Sequence, residues 1–253
     1  MAKWILWLFG LSLPFWWAGA MTPFQLLPGL PVSALMFVCP MLAAAICLRV
    51  ECGSAGLLLR RAFDWRRVSG VRWWALAVLL MPGVSLLACL WMRATGVELP
   101  PWQVPWWEPL ALALVFLITA LCEELGWSGY ATERLQKRQG TIRVGLIVGA
   151  IWAVWHFVPL VQAQRSVAWI AWWTLGTVAL RVLIVWIFEG AGGSVFAAAV
   201  CHASNNVSWM LFPDHGSHWS PKLHGLIAAG VAVVVAISAT RKGPQAKVDG
   251  RLQ

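Results

Sequence analysis

Five side chains in this chain of 253 residues combine chemically useful types with telling spacings: Glu123 and Glu124, His156, and the pair His202 and Asn206. All five stand inside long apolar runs rather than in polar loops. A carboxylate in a low-dielectric cavity is suited to general-base work, and a His beside it can orient and deprotonate a water. A second His and an Asn amide can donate hydrogen bonds to the oxyanion of a tetrahedral intermediate. The same Glu123, with His156 and His202, could instead hold a zinc ion whose bound water is the nucleophile. The cofactor is thus open, with zinc the one candidate, and either route leads to amide hydrolysis at membrane depth. Buried Glu and His also build proton relays, which makes a proton-coupled transporter a third reading; it lacks support from inverted halves or an internal repeat. The sequence holds no G-x-S-x-G elbow, H-E-x-x-H helix or phosphate loop.

The elements that must position these groups follow from composition. Of the residues, 60% are hydrophobic and 11% charged, where soluble domains have about 45–50% and about 25%. Soluble globular, disordered, collagenous and disulfide-knot classes are excluded, and an all-α, polytopic transmembrane helix bundle is predicted. A bilayer core needs about 20 mostly apolar residues per helix. About eight spans qualify: 4–20, 31–50, 73–92, 109–131, 144–162, 166–188, 193–212 and 223–240. Residues 1–240 read as one transmembrane domain and 241–253 as a short cytoplasmic tail. The first run ends Ala18-Gly19-Ala20 behind Lys3, a pattern shared with cleaved signal peptides.

The net charge of +9 would point to nucleic acid in a soluble protein. Here the cations sit in loops between apolar runs, so they read as topology and contact with anionic headgroups. The expected partners are membrane lipids and a membrane-associated peptide or protein, with no nucleic acid. Fifteen of the nineteen Lys and Arg fall in segments on one side; the other side holds only Arg93, Arg165 and Lys222, and Arg181 lies within the sixth run. The positive-inside rule then places both termini in the cytoplasm of a multi-pass protein of the inner (plasma) membrane. Many of the twenty Trp pair near segment ends, as Trp16-Trp17 and Trp106-Trp107 do, and read as interfacial belts. The six cysteines form no C-x-x-C pair and read as small buried hydrophobes in reduced surroundings.

An ionisable side chain at mid-membrane costs roughly 2.5–3.5 kcal/mol on insertion scales, so each one asks for a reason. The adjacent Glu123 and Glu124 point about 100° apart on a helix, so one is expected to face a cavity while the other pairs with a donor. His202 and Asn206 share a helical face, as do Trp152 and His156. At 1.5 Å per residue, Glu123 lies about 12 Å from a helix end near 131, His156 about 20 Å from one near 143, and His202 about 14 Å from one near 193. Tilt can close that spread, so three spans can present the five groups at a similar level. Glu189 at a helix end and Arg181, free to snorkel, read as structural. His215, His218 and His224 flank an outer loop and read as solvated.

The segment Glu123-Glu124-Leu125-Gly126-Trp127-Ser128-Gly129 resembles the E-E-x-x-x-R-G signature of the CPBP family. These are intramembrane proteases related to the type II C-a-a-X prenyl protease and to bacteriocin-immunity proteins. Trp152-Ala153-Val154-Trp155-His156 stands where the family has F-x-x-x-H, and His202-Ala203-Ser204-Asn205-Asn206 matches H-x-x-x-N. The resemblance covers about 110–212 and implies the family's eight-helix α fold. It also implies that Glu123 is the general base acting on water with His156 assisting, that His202 and Asn206 form the oxyanion site, and that Glu124 is a supporting acid. It leaves open a metal-bound or a metal-free glutamate mechanism. Two positions depart from the pattern: Ser128 stands where the motif has Arg, and Trp152 where it has Phe. The first removes the cationic partner expected for Glu124 within the motif, with Arg134 or Arg181 the available substitutes. The expected function is an intramembrane endopeptidase; a catalytically inactive immunity or scaffold protein of the same fold is the alternative.

Overall fold

The computed structural model describes residues 1–51 and 53–241; Cys52 and nearly all of the expected tail, 242–253, lie outside the described residues. Within lipid a backbone must satisfy its own N–H and C=O groups, so long apolar runs become helices. They are α1 (Ala2–Met21), α2 (Cys39–Val50), α3 (Ala55–Arg60), α4 (Val71–Ala94) and α5 (Glu108–Gly126). There follow α6 (Glu133–Gln136), α7 (Thr141–Gln162), α8 (Val167–Gly190), α9 (Val195–Met210) and α10 (Pro221–Arg241). Two short antiparallel strands, β1 (Gln25–Leu27) and β2 (Leu30–Pro31), join α1 to a 3-10 turn over Val32–Val38 that feeds α2. A π-helical turn, Trp127–Thr132, carries α5 on into α6.

Among the described residues seven helical segments are long and apolar enough to cross a membrane: Ala2–Met21, Val32–Val50, Val71–Ala94, Glu108–Gln136, Thr141–Gln162, Val167–Gly190 and Pro221–Ser238. The bundle is therefore all-α and polytopic, as composition predicts. The expected seventh run, 193–212, differs. It yields α9, of 16 residues or about 24 Å, short of a crossing on length alone. Its start is held by Asp64 in the loop before α4, and its end by Trp102 in the loop after α4, whose Nε1 donates to the Leu211 carbonyl at 2.7 Å. α9 packs against α4, α5 and α8.

One large cluster of buried side chains joins α1, α2, α4, α7, α8, α9 and α10. Leu79, Leu86, Leu90, Leu110 and Leu114 point outward, where lipid solvates them. The tryptophans divide. Trp17, Trp106 and Trp107 are exposed near helix ends, as a belt requires, while Trp4, Trp127 and Trp155 are fully buried and Trp152 nearly so. The described cysteines are free, and all but half-buried Cys122 are buried.

Candidate active site

α5 starts with Glu108 and Pro109 in its first turn, where a carboxylate and a residue without N–H are both favoured. It ends by delivering Glu123 and Glu124 into the protein just before the π turn. π turns widen the helix by one residue and often mark functional sites; here the turn aims Ser128 back at its own helix. α7 supplies Trp152 and His156, and α8 supplies Arg181. These two helices meet closely because Gly145 and Gly149 leave room: a Cβ on Gly145 would lie 2.7 Å from the Cα of Val182, and one on Gly149 3.1 Å from the Cβ of Arg181. Small residues four apart are how membrane helices approach.

Glu124 is fully buried and accepts three hydrogen bonds. Ser128 Oγ and Arg181 Nη1 both donate to its Oε2, at 2.5 and 2.8 Å, and His202 Nδ1 donates to its Oε1 at 3.1 Å. The snorkelling expected of Arg181 is overturned: its side chain is 0% exposed and paired with Glu124. A guanidinium inside the bundle is stabilised better by a buried carboxylate than by reaching for a distant interface, because the carboxylate demands a counter-charge there. The guanidinium also lies 4.1 Å from the Trp152 ring centroid and 5.8 Å from that of Trp127, a cation–π seat.

Glu123 is 7% exposed, and its Oε2 accepts from Trp152 Nε1 at 2.9 Å. The two acids thus divide as their 100° offset requires, one locked in an ion pair and the other keeping an oxygen free. His156 Nδ1 is 2.9 Å from the Trp152 carbonyl oxygen. A carbonyl only accepts, so Nδ1 carries the proton and Nε2 offers its lone pair. Trp155 and Trp173 wall the imidazole at ring distances of 4.7 and 5.5 Å. Trp152 is the common neighbour: it bonds Glu123, and its ring meets His156 edge-on at 5.5 Å and His202 at 5.0 Å. Asn206 sits one turn beyond His202 on α9, half-buried, with its Oδ1 accepting from Asn205 Nδ2 at 3.2 Å. Its described hydrogen bond leads to that neighbour rather than to the carboxylates.

Among the described residues no three His, Cys, Asp or Glu side chains are grouped to hold a metal ion. Glu123, His156 and His202 are not grouped as such a cluster among the described residues. His224, expected to be solvated, is buried on α10 against Trp219, their rings 4.9 Å apart. His215 and His218 are exposed as expected, and His215 lies 3.4 Å from Glu108. Glu189 at the end of α8 accepts from Thr141 at the start of α7, a structural tie.

Three groups outside the expected set hold α9 and the π turn in place. Asp64 accepts from the backbone N–H groups of Val195 and Phe196, at 3.1 and 3.0 Å, and from Ser194 Oγ at 2.9 Å. Ser194 in turn caps Ala197 N at 3.1 Å, so the first N–H groups of α9 are satisfied. Arg61 donates to the Gly193 carbonyl at 2.5 Å and pairs with Glu133, next to the π turn. In sequence Arg61 reads only as one loop cation among many, and nothing in local spacing singles it out. Arg181 left a signal: it stands deep inside an apolar run, far from either end, and Ser128 leaves Glu124 without its motif partner.

Buried carboxylate, imidazole and guanidinium groups on four helices define a polytopic membrane protein with an intramembrane polar centre. The model of the type II CAAX prenyl endopeptidase Rce1-like family matches residues 105–208, which hold every residue of this centre. CAAX prenyl protease 2 of Methanococcus maripaludis is 27% identical over 144 residues, 51% of this chain and 53% of that protein. The chain spans about half the length of that curated relative. Through this segment the chain is similar to that family of intramembrane endopeptidases.

Proposed function

We propose that the protein is an intramembrane endopeptidase that hydrolyses a peptide bond of a membrane-associated peptide or protein. The observation that carries this reading is Trp152, which hydrogen-bonds Glu123 at 2.9 Å while its ring touches both His156 and His202. Similarity to the type II CAAX prenyl endopeptidase family over residues 105–208 supports the class of reaction. In this reading Glu123 is the general base. Its Oε2 is held by Trp152, which leaves Oε1 to take a proton from the attacking water. Nε2 of His156, unprotonated, accepts the second hydrogen of that water and orients it. His202 acts here as an imidazolium: Nδ1–H is held by Glu124, Nε2–H donates to the developing oxyanion, and the amide of Asn206 is its partner there. Proton return from Glu123 to the leaving amine completes hydrolysis.

A scaffold or immunity role drew its motive from the missing motif Arg. With Arg181 paired to Glu124, the supporting acid keeps a cation, which favours the hydrolytic reading. The residue set does not select a substrate, and prenylated tails are not assumed. The test compares peptide termini in membranes carrying the intact protein or its Glu123→Gln variant at equal level. New termini confined to the intact protein are expected and would name the substrate class. Coincident profiles would contradict hydrolysis and turn attention to binding partners.

A further inference from the structure

Ser128 and Trp152, the two departures from the family pattern, both adjoin one residue that the pattern does not contain. Ser128 Oγ and Arg181 Nη1 converge on the same oxygen, Glu124 Oε2, at 2.5 and 2.8 Å. The Trp152 ring covers the guanidinium at 4.1 Å. Arg181 is fully buried, yet among the described residues its Nε and Nη2 find no hydrogen-bond acceptor. A guanidinium placed to knit helices together would use its five donors on several acceptors. This one directs a single bond to one carboxylate and rests its remaining surface on two indoles. That arrangement fits a group held for its charge on Glu124. Glu124 in turn fixes His202 through Nδ1.

We propose that Arg181 is a positioning residue: the cation that serves Glu124 has moved from residue 128 on the π turn to residue 181 on α8, with Ser128 and Trp152 as the accommodations. Arginine at 128 would compete with Arg181 for the same oxygen, which is why a small hydroxyl stands there. The broad indole face covers the part of the guanidinium that lacks an acceptor. The catalytic part of this inference rests on the hydrolytic reading above.

The test is a reciprocal exchange in the full chain. Wild type, Arg181→Ser, Ser128→Arg and the double variant are compared for new peptide termini in membranes and for Tm in detergent. Arg181→Ser should lower turnover by about 100-fold or more, the scale of a misplaced catalytic group, and lower Tm. Ser128→Arg alone should also lose turnover, since two guanidiniums then face one carboxylate. The double variant keeps charge and summed side-chain volume, and should recover turnover to within about tenfold of wild type, together with most of the Tm. An exchange no better than the worse single variant would overturn the proposal, as would an Arg181→Ser protein with unchanged turnover. Recovery of Tm without turnover would reduce Arg181 to packing and overturn the positioning role. Wild-type protein without turnover contradicts the hydrolytic reading instead, and the Tm cycle then decides whether the two positions exchange.

Discussion

Replacing Glu124 by Gln changes one atom and disturbs three donors. The amide keeps one acceptor oxygen, and its NH2 must face a group that also donates: Ser128, Arg181 or His202. Both members of the Glu124–Arg181 pair are fully buried, so the variant leaves a guanidinium without a counter-charge. Breaking a buried pair from one side costs about 3–5 kcal/mol. For a chain of this size each kcal/mol moves Tm by about 2–4 °C, so a fall of about 6–20 °C is expected. The catalytic effect is separate. With the NH2 at the Oε1 position His202 loses the acceptor that orients it, and replacing an orienting carboxylate by its amide lowers kcat by about 10⁴ in a well-studied hydrolase triad. The assay is thermal unfolding in detergent followed by tryptophan fluorescence, with turnover measured in vesicles well below the variant's Tm. Glu51→Gln is the control, because Glu51 pairs with Arg134 and Tyr130 on the exposed side of the bundle, where such pairs contribute about 0–1 kcal/mol. A Glu124→Gln protein that matches this control in Tm and turnover would refute the reasoning about the buried pair.

Trp152→Phe removes the N–H on Glu123 Oε2 but keeps an aromatic ring against His156 and His202. A hydrogen bond to a charged group contributes about 1.5–3 kcal/mol, so kcat should fall by about tenfold or more, and Trp152→Ala should fall further. A Trp152→Phe protein with wild-type kcat would contradict the hub role of the indole N–H. Asp64→Ala exposes the first N–H groups of α9 and should cost about 1–2 kcal/mol, read as a lower Tm at nearly constant kcat. An unchanged Tm would show that the α9 start is held otherwise. Slight burial would raise the pKa of Glu51, but Arg134 and Tyr130 outweigh it and hold the carboxyl below its ordinary value. Its small stabilisation is therefore present above the usual Glu value of about 4.3 and lost as pH falls below that. A Tm difference between wild type and Glu51→Gln that grows on acidification would reverse the sign of this argument.

Much of the bundle was legible because lipid leaves the backbone few choices: a run such as 144–162 becomes α7 almost residue for residue. The expected run 193–212 forms α9 over Val195–Met210, two residues shorter at each end. Its start is fixed by Asp64, 130 residues upstream of Ser194, a contact no local pattern encodes. Glu123, Glu124, His156 and His202 were found because charge in an apolar run is rare and demands a reason. Arg181 carried the same signal, yet snorkelling offered a plausible local account of it; only the distance to Glu124 decides between them. Trp152 stood out by its place one turn before His156, but its bond to Glu123 did not, since a belt indole and a hub indole are alike in sequence. Asn206 was singled out by its place in the motif, while its described hydrogen bond runs to Asn205.

The central claim is that Glu123 activates water for peptide hydrolysis inside the membrane. The most direct measurement takes purified wild type and Glu123→Gln, reconstitutes both in vesicles at equal amount and matched Tm, and adds the membrane fraction of a deletion strain in H₂¹⁸O. Wild type should produce new carboxyl termini that carry ¹⁸O. The Gln variant, which retains the shape and Trp152 as its neighbour but has lost the base, should produce them at least about 10²–10⁴ times more slowly. Labelled termini formed at the same rate by both proteins would contradict the claim.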